Sequence, residues 1–122
     1  MGDALPWPAL VLVLAPILLP ACRAPASPAA ATARAWGNGP ARWLLLDDEQ
    51  QALGRVRTNT DFASFLGAFW ACRDDDPATD ENPFGRLFAE RGAAADRLYA
   101  EPGVRGSLTP RGGALLLLGP PT

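Results

Sequence analysis

Five large apolar side chains between positions 62 and 70 most tightly limit what this chain can fold into: Phe62, Phe65, Leu66, Phe69 and Trp70. Offsets of three, four, seven and eight residues place them on one face of an α-helix. Burying each of them stabilises a fold by about 1.5–3 kcal/mol. We therefore predict an amphipathic helix, capped by Thr60, whose aromatic stripe packs into a core and does not form a ligand-binding box.

Capping residues indicate two further helices. Asp47 is a suitable N-cap with Gln50 three residues later, and it predicts a helix that runs to about Arg57. Asn82 followed by Pro83 has the pattern of an N-cap and a first helical residue. The helix that starts there is expected to end at the turn sequence 101–103.

A run of four leucines, Leu115–Leu118, lies between glycine and proline residues near the C-terminus. Its length favours a buried β-strand over a helix. A strand needs a pairing partner, which is the segment 43–46 or 104–108, a continuation of the chain beyond Thr122, or another chain. We expect a truncated domain. The predicted fold class is α+β, a small three-helix domain with a C-terminal β-strand.

The N-terminal part has the character of a targeting signal. Residues 4–22 carry no charge, and the apolar stretch ends at Leu19-Pro20-Ala21-Cys22, which resembles a bacterial lipobox. This resemblance implies a lipoprotein signal peptide at 1–21 and a diacylglyceryl group on Cys22. The leader departs from the standard pattern because it has Asp3 and no basic residue, so an uncleaved anchor stays the alternative.

The segment 22–41 is predicted to be a lipidated cysteine followed by an Ala/Pro-rich tether, because small residues and prolines bury too little apolar surface to fold. A short Ala-rich helix at 29–35 is the alternative. The folded domain is then expected over 42–122. By resemblance to bacterial lipoproteins, the protein is membrane-anchored in the cell envelope and exposed to the periplasm, and Arg23 favours the outer membrane.

Composition excludes several functions. The chain of 122 residues has a net charge of −2, which gives no electrostatic basis for binding nucleic acid. It contains no histidine, so a Ser-His-Asp triad, a Cys-His pair and a histidine-ligated metal are ruled out. We expect no cofactor.

Several short motifs recur in a fixed order over residues 42–121: Trp43-Leu44, Phe69-Trp70, Arg73-Asp74, Pro77-x-Thr79-x-x-Asn82, Gly106, Thr109, Arg111-Gly112 and Leu118-Gly119-Pro120-Pro121. Together they resemble the GWxTD domain family of bacterial proteins, whose biochemical role is unknown. The chain departs from the naming motif, since Ser107 replaces its tryptophan and Pro110 its aspartate. Asp75 also replaces the proline that follows Arg73-Asp74 in the family.

The candidate ligand-binding residues are Arg73, Asp74, Asn82, Thr109 and Arg111. Arg73 is able to pair bidentately with Asp74 or with a carboxylate of a neighbouring element, and we favour a structural role in the turn for it and Asn82. Thr109 and Arg111 belong to a segment that lacks the phosphate-loop pattern and is interpreted as a turn.

Five carboxylates lie within residues 74–81, and Asp74, Asp76 and Asp80 are the candidate metal ligands among them. Calcium takes six to eight oxygen ligands, but the segment lacks the glycine and the closing glutamate of an EF-hand. Solvated charge is the simpler interpretation of this acidic loop.

The leading function hypothesis is a non-enzymatic envelope lipoprotein whose domain is a protein-interaction or assembly module. Its expected partners are membrane lipid, through acylated Cys22, and another protein, through pairing with the terminal strand. One alternative is the N-terminal part of an enzyme whose catalytic residues lie beyond residue 122. The other is a cation- or ligand-binding domain that uses the 74–82 loop.

Overall fold

The computed structural model describes Gly2 and residues 25–122. The described residues form five α-helices: α1 Pro28–Gly37, α2 Asp47–Gly54, α3 Asn59–Ala71, α4 Pro83–Leu98 and α5 Pro110–Leu118. Two 3₁₀ turns, Pro40–Trp43 and Gly106–Leu108, precede α2 and α5. Cys22 and the predicted signal peptide, apart from Gly2, lie outside the described residues.

The three predicted helices are present, but the N-caps of two of them are shifted and α2 ends at Gly54 instead of about Arg57. Leu46 caps α2, and its N–H donates to Glu49 Oε2 over 2.9 Å. Thr58, and not Thr60, caps α3 by accepting from the Asp61 N–H. Asn82 caps α4 as predicted, with Pro83 in its first turn.

The prediction of an α+β fold with a C-terminal strand is wrong. Leu115–Leu118 is the last part of α5, and the described residues contain no β-strand, only an isolated bridge between Glu101 and Val104. Thr109 Oγ1 accepts the Gly112 N–H over 3.1 Å, and Pro110 at the first position has the backbone torsion of a helix. Because of this cap, α5 begins at Pro110, five residues before the first leucine. The four leucines therefore extend a helix that has already started.

The prediction of a flexible tether is wrong for residues 28–37, where the structure contains the helix that was the alternative. Ser27 caps α1 by accepting the Ala30 N–H over 3.1 Å. Ala29 and Ala33 are buried, and Trp36, which lies on the same face of α1, packs against the hydrophobic core. Helix α1 is therefore part of the packed domain.

The aromatic stripe of α3 surrounds Trp36. The Trp36 ring meets the rings of Phe62, Phe65 and Phe69 edge-on, with centroid distances of 6.2, 5.8 and 5.0 Å. Phe69 is 2% exposed, and the predicted core role of the stripe is confirmed there. Aromatic contacts of this kind add to the free energy that burial alone provides.

Helices α1, α2 and α3 pack around one another, and α4 packs with α5 and the turn Gly106–Leu108. Several contacts join these halves, two of them at Trp70. The Trp70 ring lies 6.2 Å from that of Phe88 on α4. The Asn82 side-chain amide donates to the Trp70 carbonyl over 2.8 Å.

Candidate functional site

Arg73 joins three parts of the domain, just beyond the end of α3. Its guanidinium makes a bidentate ion pair with Glu49, with both N···O distances 2.8 Å. It also donates to the carbonyls of Phe69 and Leu44 and stacks on the Phe69 ring at 3.8 Å. The partner is therefore a carboxylate of another element and not Asp74. The Arg73 side chain connects α3 with α2, rather than acting within the turn between α3 and α4.

Glu49 has two partners that favour its charged form. The hydrogen bonds from Arg73 lower its pKa most, and the Leu46 N–H lowers it further, against an opposing effect of partial burial. The side chains of Arg73 and Glu49 are 15% and 18% exposed. A partly buried pair whose donors and acceptors are already matched offers little free capacity for a ligand.

Asn82 organises the turn between α3 and α4. Its Oδ1 accepts the Gly85 N–H over 2.9 Å, while its Nδ2 donates to Trp70. Thr79 Oγ1 donates toward the carbonyls of Asp76 and Glu81, at 3.2 and 3.0 Å. The Pro77-x-Thr79-x-x-Asn82 motif therefore stabilises a turn.

The acidic loop does not assemble the predicted metal ligands. Asp74 and Asp76 accept backbone N–H groups two residues ahead of them, at Asp76 and Ala78. Within residues 25–122, no group of three acidic or cysteine side chains is placed to hold a metal ion, and this includes Asp74, Asp76 and Asp80.

Thr109 and Arg111 are brought to the start of α5, but they have different surroundings. Thr109 is buried, and its hydroxyl donates to the Gly106 carbonyl over 2.7 Å while it caps the helix. Arg111 is exposed. Ser107 is buried, and Pro110 occupies the first turn of α5, so both departures from the GWxTD pattern are compatible with this turn.

Asp96 on α4 binds the turn Gly106–Leu108, which precedes α5. Its carboxylate accepts the Ser107 N–H over 2.8 Å and an Arg105 N–H over 2.7 Å. Partial burial acts to raise its pKa, but the hydrogen bonds from Ser107 and Arg105 outweigh burial and lower the pKa to about 2.

A cleft lined by arginines lies between α1 and α2. It has a volume of about 480 Å³. Its apolar lining includes Leu45, Leu53 and Val56, and its polar lining includes three arginines and two amides: Arg34, Arg42, Arg57, Asn38 and Gln50. We call this region the arginine cleft, and none of its lining residues is acidic.

The side chains that line the cleft carry a net positive charge, although two helices end beside it. The C-termini of α1 and α2 carry a partial negative charge of roughly half a unit each. Arg57 Nη1 donates to the carbonyls of Gly54 and Val56, over 3.0 and 2.9 Å, and so caps the end of α2. The Arg42 guanidinium lies 5.0 Å from the centre of the Trp43 ring. The Asp61 carboxylate accepts the Arg57 backbone N–H over 3.0 Å and offsets part of the charge of Arg57. Arg34 and Arg42 still give the cleft lining a net positive charge, which favours an anion.

Sequence reasoning missed this cleft. Its arginines are 8 and 15 residues apart in the chain and belong to no recognised motif. One signal was available, because Ala29, Ala33 and Trp36 share the spacing of a buried helix face. Recognising α1 would have placed Arg34 on a folded element.

No protein-family model matches the chain, and no curated protein or solved structure matches it either. The resemblance to the GWxTD family therefore stays a prediction. Within residues 25–122, none of the helices is both long enough and apolar enough to cross a membrane.

Proposed function

We propose that this chain is a bacterial cell-envelope lipoprotein, anchored through acylated Cys22, whose GWxTD-like helical domain acts as a protein-interaction or assembly module. The proposal includes exposure to the periplasm, with the outer membrane favoured. The observation that carries it is the uncharged apolar stretch that ends in the lipobox-like sequence Leu19-Pro20-Ala21-Cys22.

Ser27 is fixed to the folded domain. Its hydroxyl donates to the Arg57 carbonyl over 2.7 Å, and α1 begins at the next residue. Only residues 23–26 separate it from Cys22. Five extended residue steps span at most roughly 18 Å. An acyl group on Cys22 therefore keeps the domain next to the membrane surface.

The interaction role is supported by the outer face of α5. Leu115 and Leu116 are buried, whereas Leu117 and Leu118 are 46% and 82% exposed. Leu98, at the end of α4, is 67% exposed. Exposed apolar surface is typical of contact sites, and Leu117 and Leu118 are adjacent exposed leucines at the end of α5. Strand pairing is no longer a basis for partner binding, because this segment is helical.

Three of the candidate ligand-binding residues serve the fold. Arg73, Asn82 and Thr109 are each engaged in contacts that hold turns and helices together. Such residues contribute to stability, and their partners are protein groups.

The interaction role is tested by photocrosslinking in intact envelopes. A photoreactive amino acid at Leu118 is expected to give a discrete crosslinked protein band. The same group at Glu90, an exposed position on α4, serves as the control. An identical smear, or no band, from both positions would contradict the interaction role of α5.

The anchor is tested separately with a Cys22→Ser variant. We expect the wild-type protein to fractionate with membranes and to incorporate labelled fatty acid. The variant is expected to lose the label, because serine lacks the thiol that is acylated. Equal labelling of both proteins would contradict the proposed anchor.

A further inference from the structure

We propose that the arginine cleft between α1 and α2 binds the phosphate-bearing head group of an anionic membrane lipid. This inference rests on the proposed envelope anchor for its choice of ligand source. The cleft itself stands on the described residues alone.

The lining of the cleft matches an amphiphilic anion. The guanidinium groups of Arg34 and Arg42 have the planar donor geometry that fits phosphate oxygens. Asn38 and Gln50 add amide groups that hydrogen-bond to hydroxyl and ester oxygens. The apolar floor, with Leu45 and Leu53, suits the glycerol and the first methylene groups of a lipid. A free inorganic anion would leave this floor without a partner.

The size of the cleft is also suitable. Small-molecule sites commonly have volumes of 300–1,000 Å³, and this one measures about 480 Å³. That volume accommodates a head group with its glycerol, while the acyl chains stay in the bilayer. No chain needs to leave the membrane completely.

The position of the cleft favours a lipid over a soluble ligand. Arg57 and Ala30 line it, and Ser27 is bonded to the Arg57 carbonyl. Since Cys22 lies at most roughly 18 Å from Ser27, this end of the cleft is held near the lipid head groups. Basic side chains held at such a surface are attracted to anionic lipids.

The binding test uses the full chain, purified in a neutral detergent and titrated by calorimetry. The ligands are dihexanoyl phosphatidylglycerol, dihexanoyl phosphatidylcholine and inorganic phosphate. We expect saturable binding of phosphatidylglycerol and much weaker binding of the other two. Equal binding of inorganic phosphate would overturn the lipid assignment, and equal binding of phosphatidylcholine would overturn the role of net negative charge.

Two pairs of variants locate the site. Arg34→Gln with Arg42→Gln removes two charges from the cleft, and Arg86→Gln with Arg97→Gln removes two exposed charges from α4. Only the cleft pair is expected to lower the affinity, by roughly tenfold or more, because each substitution removes charge-assisted hydrogen bonds to the phosphate. Equal losses in both pairs would show non-specific attraction and overturn the proposal.

A further comparison uses two tryptophan variants that leave the charge of the protein unchanged. Gln50→Trp fills the cleft with an indole, whereas Gln51→Trp places it at an exposed neighbouring position. We expect only Gln50→Trp to reduce binding, and far-ultraviolet circular dichroism verifies that both variants fold. Undiminished binding by folded Gln50→Trp would overturn the location.

The experiments distinguish failure of the proposed Cys22 anchor from failure of the proposed lipid site. The Cys22→Ser protein tests the cleft without an acyl group. If it binds phosphatidylglycerol, the cleft is supported even when no acylation is found. If acylated wild-type protein binds no phosphatidylglycerol, the cleft proposal is overturned and the anchor is retained.

Discussion

The indole N–H of Trp43 donates a hydrogen bond of 2.8 Å to the backbone carbonyl of Ser107, which lies 64 residues further along the chain. Trp43 ends the 3₁₀ turn before α2, and Ser107 is in the turn before α5. A Cβ on Gly113 would come within 2.7 Å of the indole ring, so the ring lies directly on the first turns of α5. This contact connects the two ends of the domain.

Trp43→Phe is expected to lower the free energy of unfolding by about 1–2 kcal/mol. The substitution keeps an aromatic ring but leaves the Ser107 carbonyl without its partner. Urea unfolding followed by circular dichroism measures the change. An unchanged transition midpoint would contradict the contact.

Gly112→Ala and Gly67→Ala should change stability in opposite directions. A Cβ at Gly112 would overlap the backbone carbonyl of Gly106, which cannot move away without disturbing the turn. We expect a loss of about 3 kcal/mol. A Cβ at Gly67, within α3, meets no atom within 4 Å, and alanine should stabilise that helix by up to about 1 kcal/mol.

Thermal unfolding measures both glycine variants. Equal stability of Gly112→Ala and the wild-type protein would refute the close approach of α5 to the turn 106–108.

A double-mutant cycle at Arg73 and Glu49 should give a coupling energy of about 1–3 kcal/mol. The bidentate geometry and the low exposure of both side chains make this pair stronger than ordinary surface pairs. The matched control is Arg86 with Glu81, whose side chains are 65% and 77% exposed. That pair should couple by less than about 0.5 kcal/mol.

Both cycles are measured by denaturant unfolding at low salt. Similar coupling energies for the two pairs would contradict the structural role of Arg73.

Acid should weaken the contact between Asp96 and the turn 105–107. The folded-state pKa of Asp96 is about 2, below the ordinary value of 3.8. A lowered carboxyl pKa stabilises the fold above the unfolded-state value, and this contribution is lost as the pH falls through the folded-state value. The stability difference between wild type and Asp96→Asn should therefore be constant above about pH 5 and shrink between about pH 4 and pH 2.

Unfolding curves across that pH range measure this difference, with Asp75→Asn, an exposed loop carboxylate, as the charge-matched control. A difference that stays constant from neutral pH to pH 2 would show that the Asp96 charge does not stabilise the turn.

Helical periodicity and capping patterns predicted the middle of this domain correctly. The stripe from Phe62 to Trp70 and the Asn82-Pro83 start depend on local spacing, which the sequence displays directly. The start of α3 moved from Thr60 to Thr58 because Asp61 bonds back to the Thr58 N–H. Neighbouring Thr residues are both good caps, so composition alone did not distinguish them.

The ends of the domain were predicted incorrectly because their structure depends on contacts between distant residues. Helix α1 is rich in alanine, and Trp36 finds its aromatic partners on α3. Helix α5 contains two glycines that weaken a helix locally, yet these glycines permit its close approach to Trp43 and Gly106. For α5, local helix propensity is therefore low, and the helix is stabilised by packing.

For the candidate site too, features that depend on local sequence were predictable, and features that depend on distant contacts were not. The contacts of Asn82 in the turn agree with our interpretation of the local motif. The Arg73 side chain pairs instead with Glu49 on α2, a partner that the motif does not identify. The arginine cleft needed α1 and α2 to be brought together, so nothing in the spacing of Arg34, Arg42 and Arg57 indicated it.

The mass of the mature polypeptide isolated from envelopes tests the central claim most directly. A membrane-anchored lipoprotein predicts a chain that begins at Cys22 and carries the added mass of a diacylglyceryl group, with processing blocked by globomycin. An unmodified chain that retains residues 1–21 and is insensitive to globomycin would contradict the account.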